Sequence, residues 1–176
     1  AACEEEGQAI AQVWNDERAA ALRAAFEHTG SERAGATADR VVPWLDAYAE
    51  RWRDGVRSNC ETRTGEDPLV DAARACFGAR KLGLDRLLSR LEDNDDPQLL
   101  PGGISALASL ESLSSCADER WLEHQPPAEA SEQRENFDER LADVRVTKAL
   151  GAYREAKPLA QALRRDADQA GLIDVS

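Results

Sequence analysis

The chain has 176 residues and carries 34 acidic against 22 basic side chains, a formal net charge of −12. Nucleic-acid binding and adsorption to anionic membranes both depend on clusters of Lys and Arg, so this charge argues against both functions. No apolar run approaches the roughly 20 residues of a membrane span, and no signal-peptide pattern follows the N-terminus. The missing initiator Met predicts a segment excised from a longer protein. Ala, Leu, Glu and Arg dominate and no alternating pattern indicates a strand, which predicts an all-α fold.

The first half of the chain predicts two long helices. The first runs from about Glu4 to His28 and ends before Gly30. The second has the clearest amphipathic pattern, because its apolar side chains recur at i, i+3, i+4 and i+7. Pro43 is expected in its first turn, where proline is tolerated. The apolar stripe of this helix consists of Val41, Trp44, Leu45, Tyr48, Trp52 and Val56.

Turn-forming residues divide the middle of the chain. A turn at residues 64–68 precedes a third helix that continues to about Leu91. After a second break at residues 94–97, a shorter fourth helix is predicted to end near Leu110. Residues 118–124 are expected to form one further short helix.

The strongest boundary in the sequence is Pro126-Pro127, since two consecutive prolines end a helix and stiffen the connection. It predicts a helical bundle domain over residues 1–124 and a second unit over residues 128–176. Within the second unit, helices are expected from about Ala128 to Leu150 and from about Ala152 to Ala170. The predicted architecture is an antiparallel bundle of about four helices followed by a separate helical hairpin.

Four cysteines, Cys3, Cys60, Cys76 and Cys116, can form disulfides in three connectivities. If the first two helices pair as a hairpin, Cys3 and Cys60 are offset by roughly 4.5 Å along the helix axes. The same argument brings Cys76 next to Cys116, so the register favours the pairs Cys3–Cys60 and Cys76–Cys116. Disulfides would indicate an oxidising compartment outside the cytosol. The alternative is that the cysteines stay reduced, with Cys76 a small buried core residue.

No catalytic residue, cofactor site or metal site is predicted. Phosphate-binding loops, dinucleotide-binding turns, kinase motifs and the serine-hydrolase elbow are absent from the sequence. With no Cys-x-x-Cys pair and two histidines, a metal site has few available ligands. Asp95 and Asp96 precede Pro97 in a polar turn, where a capping role is more typical than acid–base catalysis. Three of the four tryptophans fall on helical stripes, which favours the core over a ligand pocket. The tryptophans are Trp14, Trp44, Trp52 and Trp121.

The residues from Gly151 to Ala156, with an aromatic at Tyr153 and the pair Glu155-Ala156, resemble the turn between the two helices of a tetratricopeptide repeat. Ala160 stands where the second helix of that repeat usually carries an aromatic, and Asp168 replaces its closing proline. One repeat alone cannot bury its faces, so the resemblance predicts the start of a truncated array.

Several short motifs upstream occur in the order typical of one protein group. They are Val13-Trp14-Asn15, Ala24-Ala25-Phe26, Leu45-Asp46-Ala47-Tyr48, Asn59-Cys60-Glu61-Thr62, Ala75-Cys76 and Cys116-Ala117-Asp118. From Cys3 to about Ala170 the chain resembles the segment after the transmembrane helix of large bacterial receptor-like serine/threonine protein kinases that end in tetratricopeptide repeats. In that family the kinase domain precedes the membrane anchor, this segment and the repeats.

The resemblance implies a non-catalytic sensor or linker segment on the extracytoplasmic side of the bacterial cell membrane. It implies membrane attachment through a segment outside this chain, and protein partners bound by the helical repeat region. Two alternatives remain. One is a cytosolic helical scaffold with reduced cysteines, and the other is a small-molecule-binding helical domain with a tryptophan-lined pocket.

Overall fold

The computed structural model describes residues 2–63, 67, 69–93, 99–125 and 132–170. Most of these residues are helical and none of them forms a strand, which confirms the all-α prediction. The predicted breaks at residues 64–66, 68 and 94–97, and the boundary at Pro126-Pro127, lie outside the described residues. The α-helices are α1 (Ala2–Gln8), α2 (Asp16–His28), α3 (Ala34–Thr62), α4 (Leu69–Glu92), α5 (Leu99–Ala108), α6 (Glu119–Leu122), α7 (Glu132–Ala149) and α8 (Tyr153–Gln169), and the 3-10 helices are Ala9–Gln12 and Leu113–Ala117.

The single helix predicted from Glu4 to His28 is wrong, because α1, a 3-10 helix and α2 share this stretch. Asn15 separates them with an extended backbone (φ −154°, ψ 177°), and its side-chain oxygen accepts a hydrogen bond from the backbone N–H of Arg18. This side chain therefore caps the start of α2. The interruption lets α1 and α2 pack as separate helices against α3.

The long helices α3 and α4 form the centre of the molecule. The stripe of α3 is buried as predicted except at Trp44, which is 38% exposed and lies at the edge of the core. Helix α4 contacts α2, α3, α5 and α7. The fully buried large side chains include Ile10, Leu22, Phe26, Leu45, Leu84, Leu87, Leu88, Leu91 and Leu122.

Pro43 lies inside α3 rather than in its first turn, because the helix begins at Ala34. A proline in a helix interior leaves the carbonyl four residues earlier, here that of Asp39, without its usual N–H donor. Both residues are exposed. Water can therefore hydrate the free carbonyl, which explains how the helix continues past the proline.

The last two helices, α7 and α8, pack against each other, and α7 also packs on α4 and α5. The buried side chains of α7 include Ala142, Val146 and Thr147, while Leu141 is 36% exposed. Two of these side chains, Ala142 and Thr147, are small, so α7 buries little side-chain volume. The hydroxyl of Thr147 donates to the backbone carbonyl of Asp143, 2.7 Å away, so its burial leaves no unpaired donor.

Candidate functional site

Two disulfides link distant parts of the chain. Cys3 of α1 is bonded to Cys60 of α3, and Cys76 of α4 is bonded to Cys116 of the second 3-10 helix. These are the two pairs that the helix register favoured, and the Cα atoms of each pair are 5.4 Å apart. Cys76 and Cys116 are part of the buried core. Two disulfides are compatible with an oxidising, extracytoplasmic location.

A cavity of about 470 Å³ lies between α4, α5 and α7. Leu87, Ala106 and Val146, one from each helix, supply part of its apolar wall, and Tyr48 of α3 and Tyr153 of α8 also line it. Its volume falls within the range typical of small-molecule sites. A second cavity of about 220 Å³ adjoins it and shares its lining residues Ala79, Arg80, Glu111 and Arg145.

Two arginines at the junction of the cavities hold one carboxylate. Glu111, in the segment after α5, forms an ion pair with Arg80 of α4 and a second with Arg145 of α7, whose Nη1 lies 3.6 Å from its carboxylate oxygen. The side chain of Arg80 is only 10% exposed, and its Nη2 also donates to the hydroxyl of Ser115 at 3.3 Å. Lys148 of α7 lines the same cavity. The cavity therefore has an excess of positive charge in a strongly acidic chain.

Tyr48 brings an unpaired polar group to this cavity. The residue is 3% exposed, and its hydroxyl is buried without a hydrogen-bond partner. Burial raises the pKa of Tyr48 to about 12, against the opposing effect of the positive charge of Arg80. The hydroxyl is therefore neutral at physiological pH and can donate a hydrogen bond. A buried donor without a partner costs about 1–3 kcal/mol, so an acceptor placed beside it would be stabilised.

The sequence interpretation assigned Tyr48 to the core and did not single out Arg80, Glu111 or Arg145. One signal was present for Arg80: it follows Cys76 by four residues and precedes Leu84 by four, which places a charge on the buried face of α4. No comparable signal exists for Glu111, which lies outside the helices.

The tryptophans occupy separate places in the structure. The indole N–H of Trp14 donates to Asp46 and that of Trp52 to the carbonyl of Phe77, both at 2.8 Å, and both rings are buried. Trp44 stacks on Tyr48 with ring centroids 5.7 Å apart. Of the four tryptophans, Trp121 alone lines either of the two cavities described above.

Within the described ranges, no group of three or more His, Cys, Asp or Glu side chains is arranged to hold a metal ion. Asp95 and Asp96 lie outside these ranges. No helix of the described part is both long and apolar enough to cross a membrane.

Comparison with protein-family models, curated proteins and solved structures finds no match for this chain. The resemblance to the receptor-like kinases therefore rests on the short motifs quoted above, and the kinase-linker assignment stays a prediction.

Proposed function

We propose that this chain is a non-catalytic protein-interaction segment on the extracytoplasmic side of a bacterial membrane, within an anchored parent protein of the receptor-like serine/threonine kinase type. The observation that carries the proposal is the pair of disulfides, Cys3–Cys60 and Cys76–Cys116. Such bonds persist outside the cytosol. In the reducing cytosol, a scaffold protein would keep its four cysteines as free thiols. The hairpin of α7 and α8 is the proposed partner-binding region.

The local structure of the hairpin supports a repeat-like role. Gly151 has φ +82°, a left-handed conformation that favours glycine, and it lets the chain turn sharply between α7 and α8. Ala156 is 6% exposed, so a small side chain lies where α8 packs into the fold. Tyr153 and Leu159 of α8 are 66% and 42% exposed. We propose that these two side chains contact an amphipathic helix of a protein partner, since tyrosine is a typical interface anchor and Leu159 adds exposed apolar surface on the same helix.

The compartment is tested by trapping thiols in living cells that make the parent protein. Rapid alkylation under denaturing conditions, followed by mass spectrometry, should leave Cys3, Cys60, Cys76 and Cys116 unmodified until a reductant is added. Four alkylated cysteines before reduction would contradict the proposed location and leave the cytosolic scaffold as the better interpretation.

The partner surface is tested by capture from an extracytoplasmic extract. Tyr153→Ser/Leu159→Ser should lose a protein that the unmodified chain retains. The matched control is Arg154→Ser/Lys157→Ser, which changes two exposed polar residues on the same helix. Equal helicity and melting temperature of the variants exclude unfolding as the cause. If all three chains capture the same proteins, the assigned surface is wrong.

A further inference from the structure

We infer that the cavity between α4, α5 and α7 binds a small organic carboxylate with an apolar body, whose charged end is held by Arg80 and Arg145. This site is distinct from the proposed partner surface on α8, with which it shares one residue, Tyr153. The inference rests on three features of the site: the arginine pair, the unpaired hydroxyl of Tyr48 and the shape of the wall.

The arginine pair indicates the ligand's charged group. Arg80 and Arg145 come from different helices and converge on Glu111, so the group that the structure places between them is a carboxylate. The Glu111 side chain is 47% exposed and belongs to a short non-helical segment, so water can solvate it if a ligand takes its place. An incoming carboxylate would then form the charge-assisted hydrogen bonds that guanidinium groups make with such anions.

The apolar lining of the cavity indicates that the ligand has an apolar body. Leu87, Ala106 and Val146 are buried residues that face the cavity, and Gly83 leaves room beside them, since a Cβ there would meet no atom within 4 Å. The volume of about 470 Å³ accommodates a compound the size of an arylalkanoic acid. Tyr48 also lines the cavity, and its hydroxyl, which is buried without a hydrogen-bond partner, is the neutral donor that we assign to one oxygen of such a ligand.

The test titrates the complete, oxidised chain with 3-phenylpropionate and follows amide shifts by NMR. The neutral control is 3-phenylpropanol, and the phosphate control is phenyl phosphate. We expect saturable binding of the carboxylate with shifts in α4, α5 and α7, and affinity for the alcohol at least about tenfold weaker because a charged hydrogen bond contributes that much. Equal binding of the alcohol would show that the cavity recognises only the apolar body, which would contradict the proposed role of the arginines. Tighter binding of phenyl phosphate would overturn the carboxylate assignment.

Two variants should change the affinity for 3-phenylpropionate in opposite directions. Glu111→Gln removes the internal competitor and should raise the affinity for 3-phenylpropionate by about threefold or more, a gain that misfolding cannot imitate. Arg80→Gln should lower it by about tenfold. Because Arg80 also bonds Ser115, Arg145→Gln is the second loss variant; its side chain is 54% exposed, so the fold depends less on it. Arg57→Gln, an exposed residue outside both cavity walls, is the matched control and should change nothing.

The inference is wrong if neither the unmodified chain nor Glu111→Gln binds 3-phenylpropionate saturably. It is also wrong if Arg145→Gln and Arg57→Gln bind 3-phenylpropionate equally well, because the charge of Arg145 would then have no role in binding.

Discussion

The helices α1–α6 and the hairpin of α7 and α8 have similar helix-forming sequences but are stabilised in different ways. In α1–α6, large side chains such as Phe26, Trp52 and Phe77 fill the interior, and two disulfides link distant segments. Among the described residues of the hairpin, most buried side chains are small, as at Ala142 and Ala156, and Val146 is the largest buried apolar one. The comparison shows that one fold class can combine a covalently constrained core with a docked element that buries little volume.

Partly exposed ion pairs add to the docking of the hairpin. Arg86 of α4 lies 3.1 Å from Glu139 of α7, and Arg90 of α4 lies 2.8 Å from Glu155 of α8. Pairs of this kind contribute under about 1 kcal/mol each and weaken with salt. Contacts of the hairpin with the core centre on Val146. The cavity lies at this junction, so its shape depends on how firmly α7 stays on α4.

Removing the buried disulfide should have the largest effect. Cys76 and Cys116 are 40 residues apart, and chain-entropy arguments give about 4 kcal/mol of unfolding free energy for closing such a loop. Cys76→Ala/Cys116→Ala also removes two buried sulfur atoms, so we expect it to cost more than Cys3→Ser/Cys60→Ser. Denaturant unfolding of both variants measures the difference. Equal stability of the unmodified chain with and without reductant would contradict a covalently constrained core.

A second change tests the close packing of α3 on α4. A Cβ at Gly55 would lie 2.6 Å from the ring of Phe77, which is buried and packs edge-on against Trp52. Gly55→Ala should therefore lower the free energy of unfolding by about 1–2 kcal/mol, because overpacking outweighs the better helix propensity of Ala.

The matched control for Gly55 is Gly78→Ala in α4, where a Cβ would meet no atom within 4 Å. At this position the substitution adds no contact and only improves the helix propensity. The variant should therefore be up to about 1 kcal/mol more stable than the unmodified chain. Thermal melts that show the same sign for both substitutions would contradict the packing argument.

The ion-pair network of Arg18 is another stabilising feature of α1–α6. Its guanidinium bonds Glu92 through Nε at 2.9 Å, pairs with Asp85 and donates to Ser89 at 2.8 Å, which joins α2 to α4. Burial alone would lower the pKa of Arg18. The hydrogen bonds and negative charges of Glu92 and Asp85 outweigh this effect and raise the pKa of Arg18 above its ordinary value.

Arg18→Met keeps an aliphatic side chain of similar width and removes the charged guanidinium group. We expect it to cost about 2 kcal/mol, between the values for exposed and fully buried pairs. Chemical unfolding at low and high salt measures this. A loss below about 0.5 kcal/mol would place Arg18 among ordinary surface charges, since substitutions there stay within that range.

Helix periodicity was sufficient to predict the all-α fold. Helix rise, together with an assumed antiparallel pairing of neighbouring helices, led to the disulfide pairs that the structure contains, although the first of those helices is interrupted. The break at Asn15 was missed although the signal was present: an Asn followed by Asp16 and Glu17 is typical of a capped helix start. The exposure of Trp44 could not be predicted, since periodicity gives the direction of a side chain but not the width of the neighbouring core.

The cavity could not be predicted from the sequence. Arg80 and Glu111 are 31 residues apart, and Arg145 comes from a helix beyond Pro126-Pro127. Their convergence depends on how α7 packs on α4, and the buried residues of α7, such as Ala142, carry little periodic signal.

The smallest expected effect concerns the hairpin. Arg86→Gln/Arg90→Gln should lower the global free energy of unfolding by about 1 kcal/mol or less, because the ion pairs to Glu139, Asp143 and Glu155 are at least partly solvent-exposed. Amide hydrogen exchange should nevertheless accelerate in α7 and α8 while α3 keeps its protection, and 0.5 M salt should make the unmodified chain behave like the variant. Uniform acceleration in all helices would mean that the hairpin unfolds together with the core, and the two regions would then be one cooperative unit.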